Sequence, residues 1–427
     1  MAAFLLFIFL FGLLLLGVPI AVALGLSTTA IILLFTDQPT LVIAQQMFTS
    51  LDKFALMAIP LFVLAGNFLS RGGAATRIIG FARAVVGHLP GGLPMSAIFA
   101  CVIFAAVSGS SPATVAAIGS IMIGAIKEDG YSDSFAIGSI VCSGSLGILI
   151  PPSIILIVYG VTVDQSIGKL FMAGILPGIL LAGLFMLTVV LWAYLSPEVA
   201  PRGPRADFRT RLASLSGLIE TLLLFLLVMG GLFLGFFTPT EAGAVGAMGS
   251  LLIAVFRRNI SWKGFIQSLF ETTRISCMIL VIVAGATIFG HFLAITRIPF
   301  DIAEWVAGFN LPAYAIMALI ILVYLVGGCV IDSLALIMLT VPIFYPVVIS
   351  LGYNPIWFGV VIVLVTQIGV ITPPVGVNVY VVSGVARDIP LHVIFKGVVP
   401  LLAALIVATL LMLPFPELAL WLPNMMH

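Results

Sequence analysis

GILIPPSII (Gly147–Ile155) and GVITPPVGVN (Gly369–Asn378) each set a diproline inside a long apolar run. The runs decide the class. With 62% hydrophobic residues, 8% charged residues and a mean hydropathy of +1.32, the 427-residue chain has too little polar surface to cover a water-soluble globule. It reads as an all-α polytopic membrane protein, and in lipid a diproline is costly. Each proline removes one helical N–H and pushes the preceding residue out of the helical region, so several carbonyls lose their partners. A free carbonyl in hydrocarbon costs several kcal/mol, so broken backbone persists there only where protein, water or an ion covers the freed oxygens. A lone proline reads as a kink. A doubled break beside glycine, occurring twice, reads as a coordination site.

The recurrence extends beyond the prolines. Gly130-Tyr131, Gly147 and Pro151-Pro152 return 222 residues later as Gly352-Tyr353, Gly369 and Pro373-Pro374. Gly174 and Pro177 return 223 residues on as Gly397 and Pro400, and Pro19 pairs with Pro239 at an offset of 220. Windows of about 20 apolar residues place spans near 2–17, 18–36, 54–70, 133–161, 167–195, 214–236, 239–256, 273–293, 355–386 and 390–413. The first of these, MAAFLLFIFLFGLLLLG, has no Lys or Arg ahead of its apolar core and reads as a retained span rather than a secretion signal. Residues 93–126 and 311–350 each hold two shorter apolar helices, separated by SGSSPA (Ser108–Ala113) and GGCVIDS (Gly327–Ser333). Both are expected to be re-entrant hairpins with their tips inside the membrane. Each half then reads span, span, span, hairpin, broken span, span. Five crossings per half is an odd number, so the second half enters from the opposite face, giving an inverted repeat.

Loop charge orients the chain. With the linker PEVAPRGPRADFRTR (Pro197–Arg211) in the cytoplasm, 14 of the 17 Lys and Arg residues fall on that side. They include Arg71, Arg77, Arg83, Lys127, Arg202, Arg205, Arg257, Arg258, Arg274 and Lys396, and only Lys53, Lys169 and Arg297 fall on the other. Both termini are then expected in the periplasm. Charges gathered in short loops set topology and do not form a face for nucleic acid. Residues 40–52, 74–88, 260–272 and 298–309 mix charges with apolar positions at helical spacing, as interfacial amphipathic helices do.

The hairpin tips supply polar groups beside the breaks. SGSSPAT (Ser108–Thr114) offers hydroxyls and helix N-terminal N–H groups suited to a carboxylate or a small hard cation. The second tip adds Asp332, an acidic residue at membrane depth, where a charge costs at least ~2.5–3.5 kcal/mol and calls for a partner. Three readings of Asp332 stand side by side: a sodium ligand, a proton carrier, or a cap on the helix that begins at Ser333. Asn67, Thr366, Gln367 and Asn378 can line a cavity or bond neighbouring helices. Glu241 reads as an N-terminal capping charge, and His291 has no acid or nucleophile placed beside it. The four cysteines are far apart, with no CxxC pair and no His at ligand spacing. There are no paired carboxylates, no HExxH and no GxSxG, which argues against a membrane-embedded enzyme.

At GVPIAVALG near the start, SGSSPATVAAIGSI (Ser108–Ile121), GILIPPS, FTPTEAGAVGA (Phe237–Ala247) and ITPPVGVNVYVVSG (Ile371–Gly384), the chain resembles the large membrane subunit of tripartite ATP-independent periplasmic (TRAP) transporters. The motifs together cover nearly the whole chain. The resemblance implies a secondary transporter of the elevator type, in which a moving part slides against a frame. The division it implies is frame in 1–92, moving part in 93–165, last span and linker in 166–213, frame again in 214–310, moving part in 311–388, and last span and C-terminus in 389–427. It also implies two partners, a soluble periplasmic substrate-binding protein and a small four-helix membrane subunit. Its cargo would be a small organic anion driven by two or more sodium ions. By the same resemblance one sodium would lie among Ser108, Gly109, Ser110, Gly147, Pro151 and Ser153, and another among Gly328, Asp332, Gly369, Thr372 and Pro373. Ser110, Ser111, Thr114, Asp332, Ser333 and Asn378 would hold the anion between the tips. Where this chain has Thr366, carriers of C4-dicarboxylates or sialic acid in that family often have Asn, so neither cargo is assigned. A stand-alone sodium:anion symporter or exchanger of related architecture is the alternative.

Overall fold

The computed structural model describes residues 2–36, 38–201, 203, 205–307 and 311–426, and no strand occurs among them. Prolines and glycines punctuate the helices. α1 (Ala2–Leu15) turns at Gly17, with φ +78°, and Pro19 starts α2 (Ile20–Phe35), so both are shorter than their apolar windows. α3 (Thr40–Leu51), a 3-10 turn at Phe54–Met57 and α4 (Ala58–Arg71) follow, then α5 (Ala74–Val86). The first hairpin is α6 (Gly92–Ser108) and α7 (Ser111–Glu128). α8 (Asp133–Gly144) runs into a 3-10 turn at Ser145–Ile148, and the chain resumes as α9 (Ile154–Val163) beyond the diproline. α10 (Ile167–Leu195), α11 (Phe208–Phe233), α12 (Pro239–Phe256), α13 (Trp262–Thr296) and α14 (Ile298–Ala307) lead to the second hairpin, α15 (Ala313–Gly328) and α16 (Ser333–Ser350). α17 (Pro355–Ile371) stops at the second diproline, α18 (Val377–Val385) resumes, and α19 (Leu391–Met412) and α20 (Glu417–Asn424) end the chain.

Burial sorts these helices. All of Ile356–Ile371 in α17 and Phe135–Gly144 in α8 is buried, as expected for helices apolar on every face. The two interrupted helices therefore form the centre. α4 packs on α12, α2 on α13, α19 on α8 and α20 on α10. Outward-facing Leu15, Leu34, Leu195, Leu223 and Phe256 are exposed, an apolar belt that suits lipid and not water. Among the described residues, seven helices are long and apolar enough to cross a membrane, so the chain is a multi-pass membrane protein.

One local expectation is corrected, and one helix is added. Residues 260–272 do not form a separate interfacial helix, because α13 runs unbroken through 35 residues. In the first half Pro60 stands near the start of α4 and prevents a continuous helix from α3, whereas Leu280 stands 220 residues on and leaves the ladder intact. α20 was not foreseen as a helix. It packs on α10 and α17 and buries Ala419 and Pro423. Arg202 and residues 308–309 of the expected fourth amphipathic helix lie outside the described residues. Glu241 forms a capping box, accepting from Thr238 N at 2.8 Å while Thr238 Oγ1 accepts from Glu241 N at 3.3 Å. Asn67 donates to Thr272 Oγ1 at 2.9 Å, tying α4 to α13.

Candidate functional site

The first tip is built around a left-handed glycine. Gly109, at φ +62°, ends α6, and its carbonyl accepts from Ile154 N at 3.5 Å, just past the first diproline. The approach is tight, since a Cβ on Gly109 would lie 2.5 Å from Pro152 O, and one on Gly147 would lie 2.7 Å from Ser110 O. Ser108 Oγ meets Thr114 Oγ1 at 2.8 Å, and Thr114 Oγ1 donates to Ser110 O at 2.8 Å. Ser153 caps α9 by accepting from Leu156 N at 3.3 Å and donates to Ile148 O. Ser108, Gly109, Gly147, Pro151 and Ser153 are all buried.

The second tip repeats this pattern with a different surface. Cys329 O accepts from Val375 N at 3.3 Å, again just past a diproline, and Gly328 stacks on Gly369 so closely that a Cβ on Gly369 would lie 2.1–2.2 Å from Gly328 C and O. Thr372 Oγ1 turns back to Ile368 O. Here Pro373, Pro374 and Val375 are exposed, so the first break is sealed while the second lies open. Asp332 caps α16, its carboxylate accepting from Leu334 N at 3.1 Å. The capping reading of this residue is thus present in the structure, and no ion pair reaches Asp332 among the described residues.

A cavity of about 130 Å³ separates the tips. Gly109, Ser110, Ser111 and Pro112 of the first tip face Asp332, Ser333 and Leu334 of the second across it. Ile148, Ile154 and Ile155 from the first break and Val370 and Val377 from the second add apolar walls, and Ile275, Met278 and Ile279 of α13 line a further side. Ser333 is 3% exposed and its hydroxyl has no hydrogen-bond partner among the described residues. Buried polar groups are normally satisfied, so this hydroxyl beside a cavity is free to take a partner there. Of the expected anion ligands, Ser110, Ser111, Asp332 and Ser333 line the cavity. Thr114 and Asn378 sit behind it, fully buried, and Asn378 accepts from Ser111 Oγ at 2.9 Å and donates to Val141 O at 3.1 Å.

Sequence reasoning missed the α13 wall, because three apolar side chains on a span look like lipid-facing ones until their neighbours are known. It also missed Ser145, whose hydroxyl donates to Gln367 Oε1 at 3.1 Å. Those two residues are 222 apart, the offset of the glycines and prolines, and aligning the halves residue by residue would have found the pair. A larger cavity of about 540 Å³ lies between α3, α9, α13 and α16, lined by Lys53, Asp164, His291 and Tyr345 among others. Lys53 Nζ crosses its edge to Val161 O at 2.8 Å.

Residues 7–418 match the family model described as the tripartite ATP-independent periplasmic transporter, DctM component. The C4-dicarboxylate TRAP transporter large permease protein DctM of Pseudomonas aeruginosa is 41% identical over 403 residues, covering 94% of each chain. The isethionate TRAP transporter permease protein DctMQ of Oleidesulfovibrio alaskensis is 39% identical over 95% of this chain and 64% of its own. The fold is also similar to the solved YdaH transporter of Alcanivorax borkumensis, with a TM-score of 0.65 at 15% identity over 92% of this chain and 90% of that one. A match over residues 7–418, with a relative 41% identical across 94% of each chain, places this chain in the DctM component family of tripartite ATP-independent periplasmic transporters.

Proposed function

We propose that the chain imports an organic acid anion, a carboxylate or a sulfonate, across the bacterial inner membrane together with sodium. The cargo arrives from a soluble periplasmic binding protein, and a small four-helix membrane subunit braces the frame. The observation that carries this reading is the cavity between the tips, where Asp332 and the unengaged hydroxyl of Ser333 meet Ser110 and Ser111. The N-termini of α7 and α16 start at Ser111 and Ser333 on that cavity, and their partial positive charge favours an anion. Relatives named for a C4-dicarboxylate and for isethionate, a sulfonate, support the same class of cargo.

Sodium is co-transported cargo in this reading. Its candidate positions are the carbonyl and hydroxyl oxygens at each break, with Ser108, Gly109, Ser110, Gly147, Pro151 and Ser153 at the first and Gly328, Asp332, Gly369, Thr372 and Pro373 at the second. These are hard oxygen donors, suited to a hard monovalent ion. Two ions entering down ~100 mV with one monovalent anion gain ~2.3 kcal/mol from the potential alone.

The paired tip-to-break bonds and the Ser145–Gln367 contact support an inverted repeat. In the charge-derived orientation, α4 runs toward the cytoplasm and α13 away from it. The first tip meets α4 late, at Gly66, where a Cβ would lie 3.0 Å from Ser108 Cα, and the cavity meets α13 early, at Ile275–Ile279. Both heights lie toward the cytoplasm, with the cavity around Lys53 and His291 on the periplasmic side. With both termini taken as periplasmic, that arrangement supports an elevator caught facing inward, its moving part formed by 93–165 and 311–388.

Proteoliposome uptake tests the proposal. With both partners present and a sodium gradient, uptake of the acid that the binding protein carries is expected, and it should vanish when choline replaces sodium. The chain alone should not move free substrate. Uptake indifferent to sodium would overturn the coupling, and robust uptake without partners would replace the proposal with a stand-alone symporter.

A further inference from the structure

Asn378 is the second residue of α18, four positions beyond Pro374, and its side chain is 0% exposed. Its Oδ1 accepts from Ser111 Oγ at 2.9 Å and its Nδ2 donates to Val141 O at 3.1 Å. Ser111 opens α7 in the first tip and lines the central cavity. Val141 lies in α8, four residues before Ser145, whose hydroxyl reaches across to Gln367 on α17. One amide that follows the second break therefore holds both the first tip and the helix leading to the first break. The contacts span 267 and 237 residues, so no local structure imposes them. Each end of the fully buried amide has a partner, and loss of either bond leaves a buried polar group unpaired.

We propose that Asn378 is a positioning residue that couples the two candidate ion sites. Filling the site at the second break sets the turn at Pro373-Pro374, and the turn sets Ser111 through the amide, which shapes the first tip before its own ion binds. Coupling of this kind is reciprocal, so either ion favours the other. The proposal rests on the sodium-coupled reading above and places Asn378 behind the cargo instead of against it.

Sodium titration of thermal unfolding tests it, using the purified full chain with choline replacing sodium at constant ionic strength. In the wild type, stabilisation by sodium is expected to rise with a Hill coefficient above 1. In Ser111→Ala and in Asn378→Leu the coefficient should fall to about 1 and the half-saturating sodium concentration should rise about five- to tenfold. The double variant should be no worse than the more affected single one, because both remove the same link. A purely structural role would lower the unfolding temperature without sodium and leave the coefficient and half-saturation unchanged. Wild-type values in Ser111→Ala, or additive effects in the double variant, would overturn the coupling. Absence of any sodium-specific stabilisation in the wild type would instead overturn the sodium reading and the coupling with it. If Asn378→Leu does not fold, Ser111→Ala carries the same expectations, since it leaves the bond to Val141 in place.

Discussion

Replacing Gly369 with alanine is expected to abolish sodium-dependent uptake. The new Cβ would fall 2.1 Å from Gly328 C and 2.2 Å from Gly328 O, both main-chain atoms that no rotamer change can move aside. Relief requires α15 and α17 to separate by roughly 1 Å, and a shift of that size at a coordinating site costs on the order of a hundredfold in function. Gly147→Ala meets Ser110 O at 2.7 Å and Thr114 Oγ1 at 2.9 Å, a milder overlap, and should lose less. Gly384→Ala is the control. Nothing lies within 4 Å of a Cβ there, and alanine favours the helix, so uptake should match wild type. The comparison is made at equal amounts of folded protein in proteoliposomes. Uptake by Gly369→Ala within about twofold of wild type would show that the α15–α17 contact is not part of an ion site.

Asp332 gives the second large effect, and two substitutions separate its roles. As a cap on α16, Asp332 accepts from Leu334 N at 3.1 Å, a bond that asparagine makes nearly as well and alanine cannot make at all. If capping were its whole role, Asp332→Asn would transport normally and Asp332→Ala would lose about 1 kcal/mol of stability. As a cation ligand, its negative charge is the working part. Both variants should then raise the half-saturating sodium concentration for uptake by about 10- to 100-fold, the range for losing a charged partner. Both should still fold, as size-exclusion profiles can check. Normal sodium dependence in Asp332→Asn would remove Asp332 from the ion site and leave it a cap.

Much of the site was legible because proline and glycine carry their constraints in any context. The double breaks, the tips and the 222-residue recurrence follow from residues that cannot continue a helix or that permit close backbone approach. The polar side chains were less legible. A threonine in an apolar helix can point into a cavity or fold back onto its own backbone, and sequence does not distinguish these. Thr366 donates to Val363 O and Thr372 to Ile368 O, so each hydroxyl proton is used locally while the oxygen lone pairs stay available. Ser333, one residue past a tip, keeps its hydroxyl unengaged among the described residues. Asn378 could line a cavity or bond neighbouring helices, and the structure shows it bonded to partners 237 and 267 residues away, which no local stretch reveals.

By itself the sequence determined that this chain lives in lipid, that two of its helices are interrupted at the diprolines, and that two short hairpins accompany them. Composition and the stereochemistry of proline act residue by residue, so those conclusions need no neighbours. Only the tertiary structure decided which groups reach the shared cavity, that α13 lines it, and that the first break is sealed while the second is open. Those outcomes depend on which helix faces pack together, and packing is a property of pairs of distant segments that no local stretch encodes.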